Sequence, residues 1–415
     1  TLMRSSAASD VYKRQVCIGP ARAADSYLNM DNIISAALAS GCQAIHPGFG
    51  FLSENPDFAE RTTQAGLAFI GPTAATIRLM GDKSEAKRNA IAAGVPVALG
   101  TDGPLRDFDE ALSEAERIGY PVMLKAASGG GGKGIRVAKD VRGLKDAYDS
   151  AAAEAVANFG DGRLYMEKYI ENPRHIEVQI LGDSFGNVVH LFERECSVQR
   201  RHQKLIEESP SAFVTPELRA KMTKAAVDLA KRVGYRNAGT IEFLVDSDRN
   251  FYFCEMNTRI QVEHPVTEQV TGVDLVCEQI RVAAGEPLSF TQDDLELRGH
   301  AIECRINAED PSRDFAPCPG TLVSMHLPGG PGVRMDTAAY QGYKIPPFYD
   351  SMIGKLIVYG ADRQQAIARM RRALAETLFE GVVTGTDYQM HILRSKAFED
   401  AEFNVNSIAN GDFDR

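Results

Sequence analysis

Apolar positions near the start of the chain change between the spacing of a helix and that of a strand. Residues 26–40 repeat apolar side chains at helical spacing, and Gly41 follows as a stop signal. The apolar positions of this helix are Leu28, Ile33, Ile34, Ala37 and Leu38. The runs QAIHPG and LAFIGP have the composition of short strands that end in Gly/Pro turns, with a polar helix between them at 55–65. This order of strand, helix and strand predicts a parallel sheet.

The middle of the chain changes to a pattern that is rich in strands. Helices are predicted near 82–93 and 107–118, followed by the strand YPVMLKA, the loop ASGGGGKG and the strand IRVAKD. The runs LYMEKYI, RHIEVQIL and GNVVHLFER, within residues 164–194, also have the pattern of strands. They predict that this part of the chain is rich in antiparallel β structure.

A long amphipathic helix and a final α+β region complete the pattern. Thr215 as N-cap and Pro216 at the first helical position open the helix, and Gly234 ends it. Its apolar face consists of Leu218, Met222, Ala226, Leu229 and Val233. From about Gly299 the short strands GHAIECRI, TLVSMHL and KLIVYG, with a helix at 363–378, predict a further α+β domain.

Length, composition and charge limit the class of protein. A chain of 415 residues is long enough for two or three domains. Its hydrophobic content of 44% and charged content of 25% are typical of a soluble globular protein. The net charge of −10 excludes a general nucleic-acid binder, because neutralising phosphates needs a basic surface. No apolar stretch has the length of a membrane-spanning helix, and the 7 cysteines lack CxxC or zinc spacing, which predicts a cytoplasmic protein.

The first fifteen residues, TLMRSSAASDVYKRQ, differ from the rest of the chain. They have no strand or helix periodicity, no apolar core of a signal peptide and no Met at position 1. We interpret residues 1–15 as a foreign or aberrant segment and leave them out of the fold prediction. The following run, VCIGP, begins like the middle of a domain.

The glycine-rich run SGGGGKG, residues 128–134, lies between two predicted strands. A Walker loop and a dinucleotide-binding fingerprint both lead into a helix, so this run is neither. Successive glycines let the backbone adopt positive φ and approach a ligand closely, and Lys125 and Lys133 flank them with positive charge. The run therefore predicts either a cover for a polyphosphate or a mobile hairpin loop.

The stretch EMNTRIQVEHP places polar residues at alternate positions after the strand NFYFC. If the strand continues through this stretch, those residues share one face. They are Glu255, Asn257, Arg259, Gln261 and Glu263. With a hairpin turn near 247–249, Glu242 becomes a cross-strand neighbour of Glu255. Phe251 and Phe253 have the same parity as Glu255, so the predicted face is not purely polar.

Two neighbouring carboxylates, Glu242 and Glu255, repel each other unless a cation lies between them. A hard divalent ion such as Mg²⁺ takes oxygen ligands of this kind, and Asn257 adds an oxygen one strand step further on the same side. The alternative is the solvated outer face of an edge hairpin, on which the same polar residues need no ligand. The pattern alone leaves both interpretations open.

Cationic and acidic side chains near this stretch suit an anionic substrate. Arg259 offers a planar fork for a carboxylate-like or carbonate-like anion, and Glu263 is able to accept a proton. The segment CSVQRRHQKLIEE concentrates basic residues in an acidic protein, namely Arg200, Arg201, His202 and Lys204. The alternative is a surface basic patch that pairs with Glu207 and Glu208.

Taken together, the ordered motifs resemble biotin carboxylase, the ATP-grasp component of biotin-dependent carboxylases. The motifs are HPGFGFLSENP, MGDK, YPVMLKA with SGGGGKG, YMEKYIENPRHIEVQ, ECSVQRRHQK, IEFL, EMNTRIQVEHPVTE and ECRINAEDP, and they span roughly residues 16–398. The resemblance implies a multidomain α/β and α+β protein. Its ATP-grasp domain would cover 81–298, with a lid at about 97–169. A truncated Rossmann-like N-terminal (pre-ATP-grasp) domain would precede it at 16–80, and a biotin carboxylase C-terminal domain would follow at 299–407.

The resemblance also implies a reaction. MgATP phosphorylates bicarbonate to carboxyphosphate, and the carboxyl group then passes to biotin on a biotin carboxyl carrier protein. The expected setting is a bacterial-type acetyl-CoA carboxylase, which makes malonyl-CoA for fatty acid synthesis, with a homodimer and carboxyltransferase subunits as partners. No AMKM-like biotinylation motif occurs, so the carrier is expected to be a separate protein. The alternatives are a fragment of a propionyl-CoA or pyruvate carboxylase, a carbamoyl phosphate synthetase type of ligase, and a non-catalytic ATP-grasp remnant.

Site residues follow from the resemblance, position by position. It assigns ATP binding to Lys83, Lys125, Gly131, Gly132, Glu167, Lys168, Ile170, His175, Gln199, His202, Glu242 and Glu255. It assigns Mg²⁺ or Mn²⁺ to Glu242, Glu255 and Asn257, and bicarbonate to Lys204, Arg259, Gln261 and the amide of Val262. Glu263 would be the base that deprotonates bicarbonate, acting with the catalytic residues Lys204, Arg259 and Arg305. Biotin would meet Arg305, which stabilises charge on its ureido oxygen, and Phe49, which stands where many relatives have Tyr.

One departure from the family pattern affects the expected stability. The family's first strand and helices, which normally precede the equivalent of VCIGP, are replaced by residues 1–15. A parallel sheet without its first strand–helix–strand unit exposes an apolar edge. The sequence therefore predicts a chain that is poorly stable or inactive.

Overall fold

The computed structural model describes residues 15–127 and 134–414. The predicted foreign segment lies outside the described residues except for its last residue, as do the predicted ATP contacts Gly131 and Gly132. Within these ranges, no helix combines the length and the apolar character needed to cross a membrane.

The first described part of the chain packs three helices against a small parallel sheet. In chain order its elements are α1 (Met30–Ala39), β1 (Ala44–Ile45), α2 (Pro56–Gln64), β2 (Ala68–Phe69) and α3 (Ala74–Gly81). β1 and β2 pair in parallel, which confirms the sheet predicted from the strand, helix, strand order. Asn29, Asn55 and Thr73 each cap a helix by accepting a first-turn amide N–H. Ile34, Phe58 and other apolar side chains form the core between these elements.

The next part is an antiparallel sheet covered by two helices. Helix α4 (Lys83–Ala92) leads into this part, whose own elements are α5 (Phe108–Ile118), β3 (Val122–Ala126), β4 (Ile135–Ala138), α6 (Val141–Phe159) and β5 (Leu164–Lys168). The strands lie in the order β4, β3, β5. The pattern did not predict α6, because much of its buried face is alanine, which is weakly apolar. The face consists of Leu144, Ala147, Ala151 and Ala155.

A run of long strands and three helices follows. In chain order these are β6 (Arg174–Gly182), β7 (Val188–Arg200), β8 (Gln203–Ser209), α7 (Pro216–Arg232), β9 (Asn237–Val245), β10 (Phe251–Asn257), α8 (His264–Thr271), α9 (Leu275–Ala283) and β11 (His300–Asn307). The predicted helix that begins at Pro216 is confirmed, with Thr215 accepting the amide N–H of Leu218. Its buried face packs over Ile176, Ile241 and neighbouring core residues.

The last part of the chain contains short strands and helices. They are β12 (Glu309–Asp310), β13 (Ala316–Pro317), β14 (Ser324–His326), β15 (Val333–Asp336), β16 (Met352–Gly360), α10 (Arg363–Glu376), β17 (Leu378–Glu380), α11 (Thr386–Arg394), α12 (Lys396–Glu399) and α13 (Ser407–Asn410). The helix predicted at 363–378 ends at Glu376, because Leu378 starts the strand that pairs with β14. Short 3₁₀ turns lie at 23–25, 292–294, 311–313 and 412–414.

One antiparallel sheet of eight strands connects the two halves of the molecule. Its strand order is β10, β9, β6, β7, β8, β11, β16, β15. The pairing of β8 with β11 places Glu207 opposite Glu303 and carries the sheet across the predicted boundary at 298–299. Polar residues from both predicted domains therefore share one sheet face.

Candidate active site

A row of charged residues crosses four adjacent strands of the large sheet. Glu255 on β10 pairs with Glu242 on β9, Glu242 pairs with Glu177 on β6, and Glu177 pairs with Arg194 on β7. Carboxylates directly opposite each other destabilise a sheet unless cations compensate them. The cations that compensate this row define the candidate site.

A β-bulge sets which residues join this row. Phe253 lies opposite Phe243 and Glu255 lies opposite Glu242, so Cys254 is an extra residue in β10. A bulge reverses the alternation of the strand beyond it. Phe253 consequently faces the core with Phe243, while Glu255 faces the other side of the sheet. The predicted shared face of Phe253 and Glu255 is therefore wrong.

The strand also ends earlier than the pattern predicted. β10 stops at Asn257, and residues 258–263 form an irregular turn that leads into α8. The continuous strand through Glu263 is therefore wrong, yet the turn returns its polar residues to the site. Gln261 donates from Nε2 to Oε1 of Glu242 over 2.8 Å, and Asn257 donates from Nδ2 to the same oxygen over 2.9 Å.

Lys204 on β8 is the central cation of the site. Its Nζ lies 2.6 Å from Glu177, 3.0 Å from Glu242 and 2.5 Å from Glu263, and all three carboxylates are buried. Burial opposes a charge on Lys204, but these carboxylates outweigh it and raise its pKa well above the ordinary lysine value. Burial alone would raise the pKa of Glu263, but Lys204 reverses this effect and lowers it. Glu263 is therefore ionised at neutral pH and able to accept a proton.

His175 on β6 adds a second cationic group beside the row. Its Nε2 lies 3.3 Å from Oε2 of Glu242 and 3.6 Å from Oε2 of Glu177. Burial disfavours the charged imidazole, but the carboxylates prevail and raise the pKa of His175 to about 9. Burial also works against the charge of Glu242, whose pKa is nevertheless lowered by Lys204 and His175.

Arg305 on β11 closes the far side of the site. Its Nε donates to Oε1 of Glu207 over 2.6 Å, and its Nη2 donates to Oε2 of Glu263 over 2.9 Å. Burial would lower the pKa of Arg305, but Glu207 and Glu263 together raise it. Glu263 is thus held between two cations, Lys204 and Arg305, that come from neighbouring strands.

Arg194 is a site residue that the sequence pattern did not reveal. Its side chain is fully buried and donates hydrogen bonds over 2.6 to 3.2 Å. The acceptors are Glu177, Gln179, Thr240, Gln261 and Thr267. The available signal was a guanidinium inside the predicted strand GNVVHLFER, where a buried charge requires partners. Glu177, inside RHIEVQIL, gave the same signal.

Glu303 is a second buried group that the pattern did not identify. Neither of its carboxyl oxygens has a hydrogen-bond partner among the described residues, and Glu207 lies directly opposite it across the strands. Burial raises the pKa of Glu303 well above the ordinary glutamate value, although Lys355 and Arg305 oppose this effect. Glu263 lies on the same side and adds further negative charge. Burial therefore favours the neutral form of Glu303 in the folded protein.

This neutral carboxyl predicts how stability depends on pH. Above the ordinary glutamate pKa of 4.5 the unfolded chain releases a proton that folded Glu303 keeps, so the folded state binds more protons and stability falls as pH rises. Each pH unit then costs about 1.4 kcal/mol. Because glutamine cannot ionise, Glu303→Gln should gain stability relative to wild type between pH 5 and pH 8. Urea unfolding at both pH values measures this gain, with the exposed Glu296→Gln as the control. An equal difference at both pH values would contradict a neutral Glu303.

Lys125 and Glu167, two predicted ATP contacts on the smaller sheet, form an ion pair near the carboxylate row. Lys125 lies 2.5 Å from Glu167, and Lys87 lies 3.4 Å from the same carboxylate. Burial would lower the pKa of Lys125, but Glu167 raises it, and Glu255 adds a smaller effect in the same direction. Lys168 donates to the carbonyl oxygens of Gly119 and Tyr120 over 3.0 and 2.7 Å.

The remaining predicted residues lie around this centre. Gln199 is buried directly opposite Lys204. Ile170 is half-buried between β5 and β6, and Lys83 is the exposed first residue of α4. The carbonyl of Val262, whose amide was the predicted bicarbonate contact, accepts from Nζ of Lys355 over 2.8 Å.

Two predicted residues are exposed rather than buried in the cluster. His202 and Arg201 both have positive φ in the turn between β7 and β8. Phe49 is exposed on the loop between β1 and α2. The structure therefore does not bring either His202 or Phe49 into the group around Lys204.

The carboxylates fit a hard divalent cation. Glu255 is exposed on the edge strand, yet its pKa is raised by desolvation and by the charge of Glu242, so this spot carries uncompensated negative charge. With the carbonyl oxygen of Asn257 the donors are all oxygens, which suits Mg²⁺. His175, Glu177 and Glu242 also bring donor atoms within 4.8 Å of one another, but the raised pKa of His175, about 9, keeps its imidazole protonated at neutral pH and unable to bind a metal. The pair Glu242 and Glu255 is therefore the better candidate.

Three family models match consecutive parts of the chain. The model for the biotin carboxylase N-terminal domain matches residues 3–77. The model for the ATP binding domain of the carbamoyl-phosphate synthase L chain matches 82–291. The model for the biotin carboxylase C-terminal domain matches 303–410.

Curated relatives are similar over almost the whole chain. Biotin carboxylase of Nostoc sp. is 56% identical over 383 residues, which are 92% of this chain and 86% of the relative. Biotin carboxylase 1 of Bacillus subtilis is 52% identical, covering 95% and 88% of the two chains. A pyruvate carboxylase subunit of Methanothermobacter thermautotrophicus is 54% identical, covering 94% and 79%.

Solved structures are similar in both sequence and fold. A biotin carboxylase complex from Campylobacter jejuni has a TM-score of 0.91 at 50% identity and covers 97% of this chain and 90% of that one. The biotin carboxylase domain dimer of Hydrogenobacter thermophilus 2-oxoglutarate carboxylase, in complex with MgADP, ADP and bicarbonate, has a TM-score of 0.88 at 50% identity. It covers 95% of this chain and 87% of its own.

Proposed function

Because the chain belongs to the biotin carboxylase family, we propose that it carboxylates biotin on a separate carrier protein as the first half-reaction of an acetyl-CoA carboxylase. The chain has a mixed α/β architecture with the ATP-grasp fold and is an ATP-dependent ligase, so the family, fold and enzyme class predicted from the motifs are confirmed. The acyl-CoA acceptor, the carrier and the roles of individual residues belong to the proposal.

The position of Glu263 is the observation that carries the proposal. Bicarbonate is a poor nucleophile until its O–H proton is removed. Glu263 is ionised and buried between Lys204 and Arg305, so it presents a carboxylate next to two groups that attract an anion. A base and its cations held in fixed positions lower the barrier through orientation and electrostatic stabilisation.

The first chemical step joins bicarbonate to the γ-phosphate of ATP. Glu263 takes the proton of bicarbonate, and a bicarbonate oxygen attacks the γ-phosphorus of ATP. The bond from this phosphorus to the bridging oxygen breaks, and ADP leaves with the electron pair, which gives carboxyphosphate. In our assignment Lys204, Arg259 and Gln261 hold the anion while Glu263 acts.

We assign the nucleotide to the space between the two sheets. Lys125 and Glu167 lie on the smaller sheet, and the charge of Lys125 acts on the edge strand that carries Glu255. Glu242, Glu255 and Asn257 would hold Mg²⁺ or Mn²⁺, which when bound neutralises phosphate charge. The similar domain dimer from Hydrogenobacter thermophilus is in complex with MgADP and bicarbonate, which supports these two ligand classes for the present chain.

The biotin site is assigned to the side of Glu263 that Arg305 covers. Arg305 is held by Glu207 and Glu263, so its guanidinium has a fixed direction. A fixed guanidinium suits the oxygen of a ureido group on which negative charge develops. Phe49 is assigned to the exposed mouth of this site.

The partners are also proposals. We assign a homodimer, which the biotin carboxylase domain dimer of Hydrogenobacter thermophilus supports. A biotin carboxyl carrier protein and carboxyltransferase subunits would complete an acetyl-CoA carboxylase. A pyruvate carboxylase is the second candidate, because the similar subunit from Methanothermobacter thermautotrophicus, at 54% identity, belongs to an enzyme of that kind.

ATP cleavage tests the proposed reaction. The full chain should release ADP only when bicarbonate is present, and free biotin should increase the rate. Buffer depleted of carbon dioxide and buffer with a metal chelator are the controls. Cleavage that ignores bicarbonate, or that biotin does not increase, would contradict the assignment.

Reconstitution tests the proposed partners. The chain mixed with acetyl-CoA carboxylase carrier and carboxyltransferase subunits should form malonyl-CoA from acetyl-CoA. The same chain with the biotinylated component of a two-component pyruvate carboxylase should form less oxaloacetate from pyruvate. Faster oxaloacetate formation would favour the second candidate.

A further inference from the structure

Arg259 is held in place by groups from two distant parts of the chain. Its Nε donates to Oε2 of Glu54 over 2.9 Å, and its Nη2 donates to Oδ1 of Asn257 over 3.0 Å. A third bond runs from Nη1 to the carbonyl oxygen of Ile260 over 3.3 Å. Three of the five N–H groups of the guanidinium are therefore engaged. Counted over the described residues, one N–H on each terminal nitrogen stays free for a planar oxyanion.

Glu54 binds the backbone as well as the side chain of this segment. Its Oε1 accepts the amide N–H of Thr258 over 2.9 Å and the hydroxyl of Thr258 over 3.3 Å, while its Oε2 accepts from Arg259. One carboxylate thus fixes two consecutive residues. These residues come directly after the end of β10, where no strand pairing sets their direction.

The backbone on both sides of Glu54 is held by buried neighbours and by a helix cap. Leu52 and Ser53, directly before it, are buried, and Asn55, directly after it, caps α2. The Glu54 side chain reaches outward from this turn and is 40% exposed, whereas that of Arg259 is 20% exposed. A partly exposed ion pair contributes little to stability, so its main effect is on the direction of the guanidinium.

We propose that Glu54 is a positioning residue for the oxyanion substrate, which it serves by orienting Arg259 and the turn at Thr258. The proposal rests on the proposed function, in which Arg259 contacts bicarbonate. Glu54 aligns the guanidinium so that its free N–H groups point away from the pair. Glu54 lies in the turn before α2, so the first part of the chain contributes a residue to a site that is otherwise built on the large sheet.

The direction of the change in KM for bicarbonate distinguishes a positioning carboxylate from one that competes with the substrate. A carboxylate that merely occupied Arg259 in place of substrate would compete with bicarbonate, and its removal would lower KM for bicarbonate. A positioning carboxylate has the reverse effect, because a misaligned guanidinium binds the anion less well. The direction of the change in KM therefore separates the two roles.

The test compares Glu54→Gln and Glu54→Asp with wild type. Glu54→Gln should raise KM for bicarbonate about tenfold, since the charged clamp on Arg259 is lost, while KM for ATP stays within about twofold. Glu54→Asp keeps the charge and should recover part of the loss. Glu60→Gln, which removes an exposed ion pair with Arg78 in the same part of the chain, is the matched control and should behave as wild type.

A binding measurement accompanies the kinetics. Adding bicarbonate in the presence of MgADP should raise the thermal unfolding midpoint of wild type more than that of Glu54→Gln, whose midpoint without ligand should match wild type. An unchanged or lower KM for bicarbonate in a folded Glu54→Gln would overturn the positioning role and leave the proposed function standing. Wild-type ATP cleavage that does not depend on bicarbonate would instead overturn the proposed function.

Discussion

Glu263→Gln is expected to lower biotin-dependent ATP cleavage by a factor of about 10² to 10⁴, the usual loss when a general base is removed. Glutamine keeps the size of the side chain but has no carboxylate to take the proton of bicarbonate. The substitution should largely spare nucleotide binding, because Lys125 and Glu167 lie on the smaller sheet, away from Glu263. The expected effect is therefore on turnover rather than on the affinity for ATP.

The local structure allows this substitution without loss of a helix cap. Glu263 precedes α8, but its side chain makes no capping hydrogen bond to the helix. Its contacts are the ion pairs with Lys204 and Arg305, and a glutamine oxygen can still accept from one of them. A folded variant with lost turnover would therefore report on chemistry.

The measurement combines ADP release with calorimetry of MgATP binding. The matched control is Glu286→Gln, an exposed acid that pairs with Arg281 on the protein surface and should leave turnover unchanged. Turnover of Glu263→Gln near the wild-type level would exclude Glu263 as the base. Loss of nucleotide binding together with turnover would show that its role is structural.

Arg194→Met is expected to lower the free energy of unfolding by about 3–5 kcal/mol, because it leaves buried charges without their partner. Arg194 is completely buried and bonds Glu177 over 2.6 Å. Without the guanidinium, Glu177 keeps Lys204 as its neighbour, but Lys204 must also neutralise Glu242 and Glu263. The net negative charge of the buried site therefore rises.

The same substitution should also impair activity. Arg194 donates to Oε1 of Gln261 over 2.9 Å, and Gln261 in turn donates to Glu242. Without the guanidinium, Oε1 of Gln261, a residue that we assign to bicarbonate binding, loses its hydrogen-bond donor. KM for bicarbonate is therefore expected to rise even at a temperature at which the variant is folded.

Urea unfolding followed by far-ultraviolet circular dichroism measures this loss, and the chain has no tryptophan to serve as a fluorescent probe. Arg298→Met is the matched control, since the ion pair of Arg298 with Glu296 is exposed and should contribute less than about 1 kcal/mol. A midpoint that falls with an unchanged slope against urea reports lost stability alone. Equal stability of the two variants would contradict a structural role for Arg194.

Local sequence patterns were sufficient to predict those elements whose formation depends on residues only a few positions apart in the chain. The helix that begins at Pro216 and the helix predicted at 55–65 were found to within about two residues, since caps and apolar spacing act over one or two turns. The prediction that Glu242 and Glu255 are cross-strand neighbours was also correct, although the bulge at Cys254, and not the hairpin turn alone, places them directly opposite each other.

The same patterns failed where a partner lies far away in the chain. Alternation placed Phe253 and Glu255 on one face, but the bulge at Cys254 separates them. A bulge depends on how a strand pairs with its neighbour, so the alternation of residues along one strand does not predict it. Arg194 and Glu303 were likewise missed, because their roles arise from burial beneath other elements.

The sequence by itself therefore determined the family, the enzyme class and most of the chemical groups of the site, since the order of motifs and the residue types can be recognised without coordinates. Only the tertiary structure decided how those groups meet. It ends β10 at Asn257, gathers three carboxylates around Lys204 and brings Glu54 to Arg259 across 205 positions of the chain. The physical reason is that electrostatic contacts depend on distance in space and on burial, which spacing along a chain does not specify.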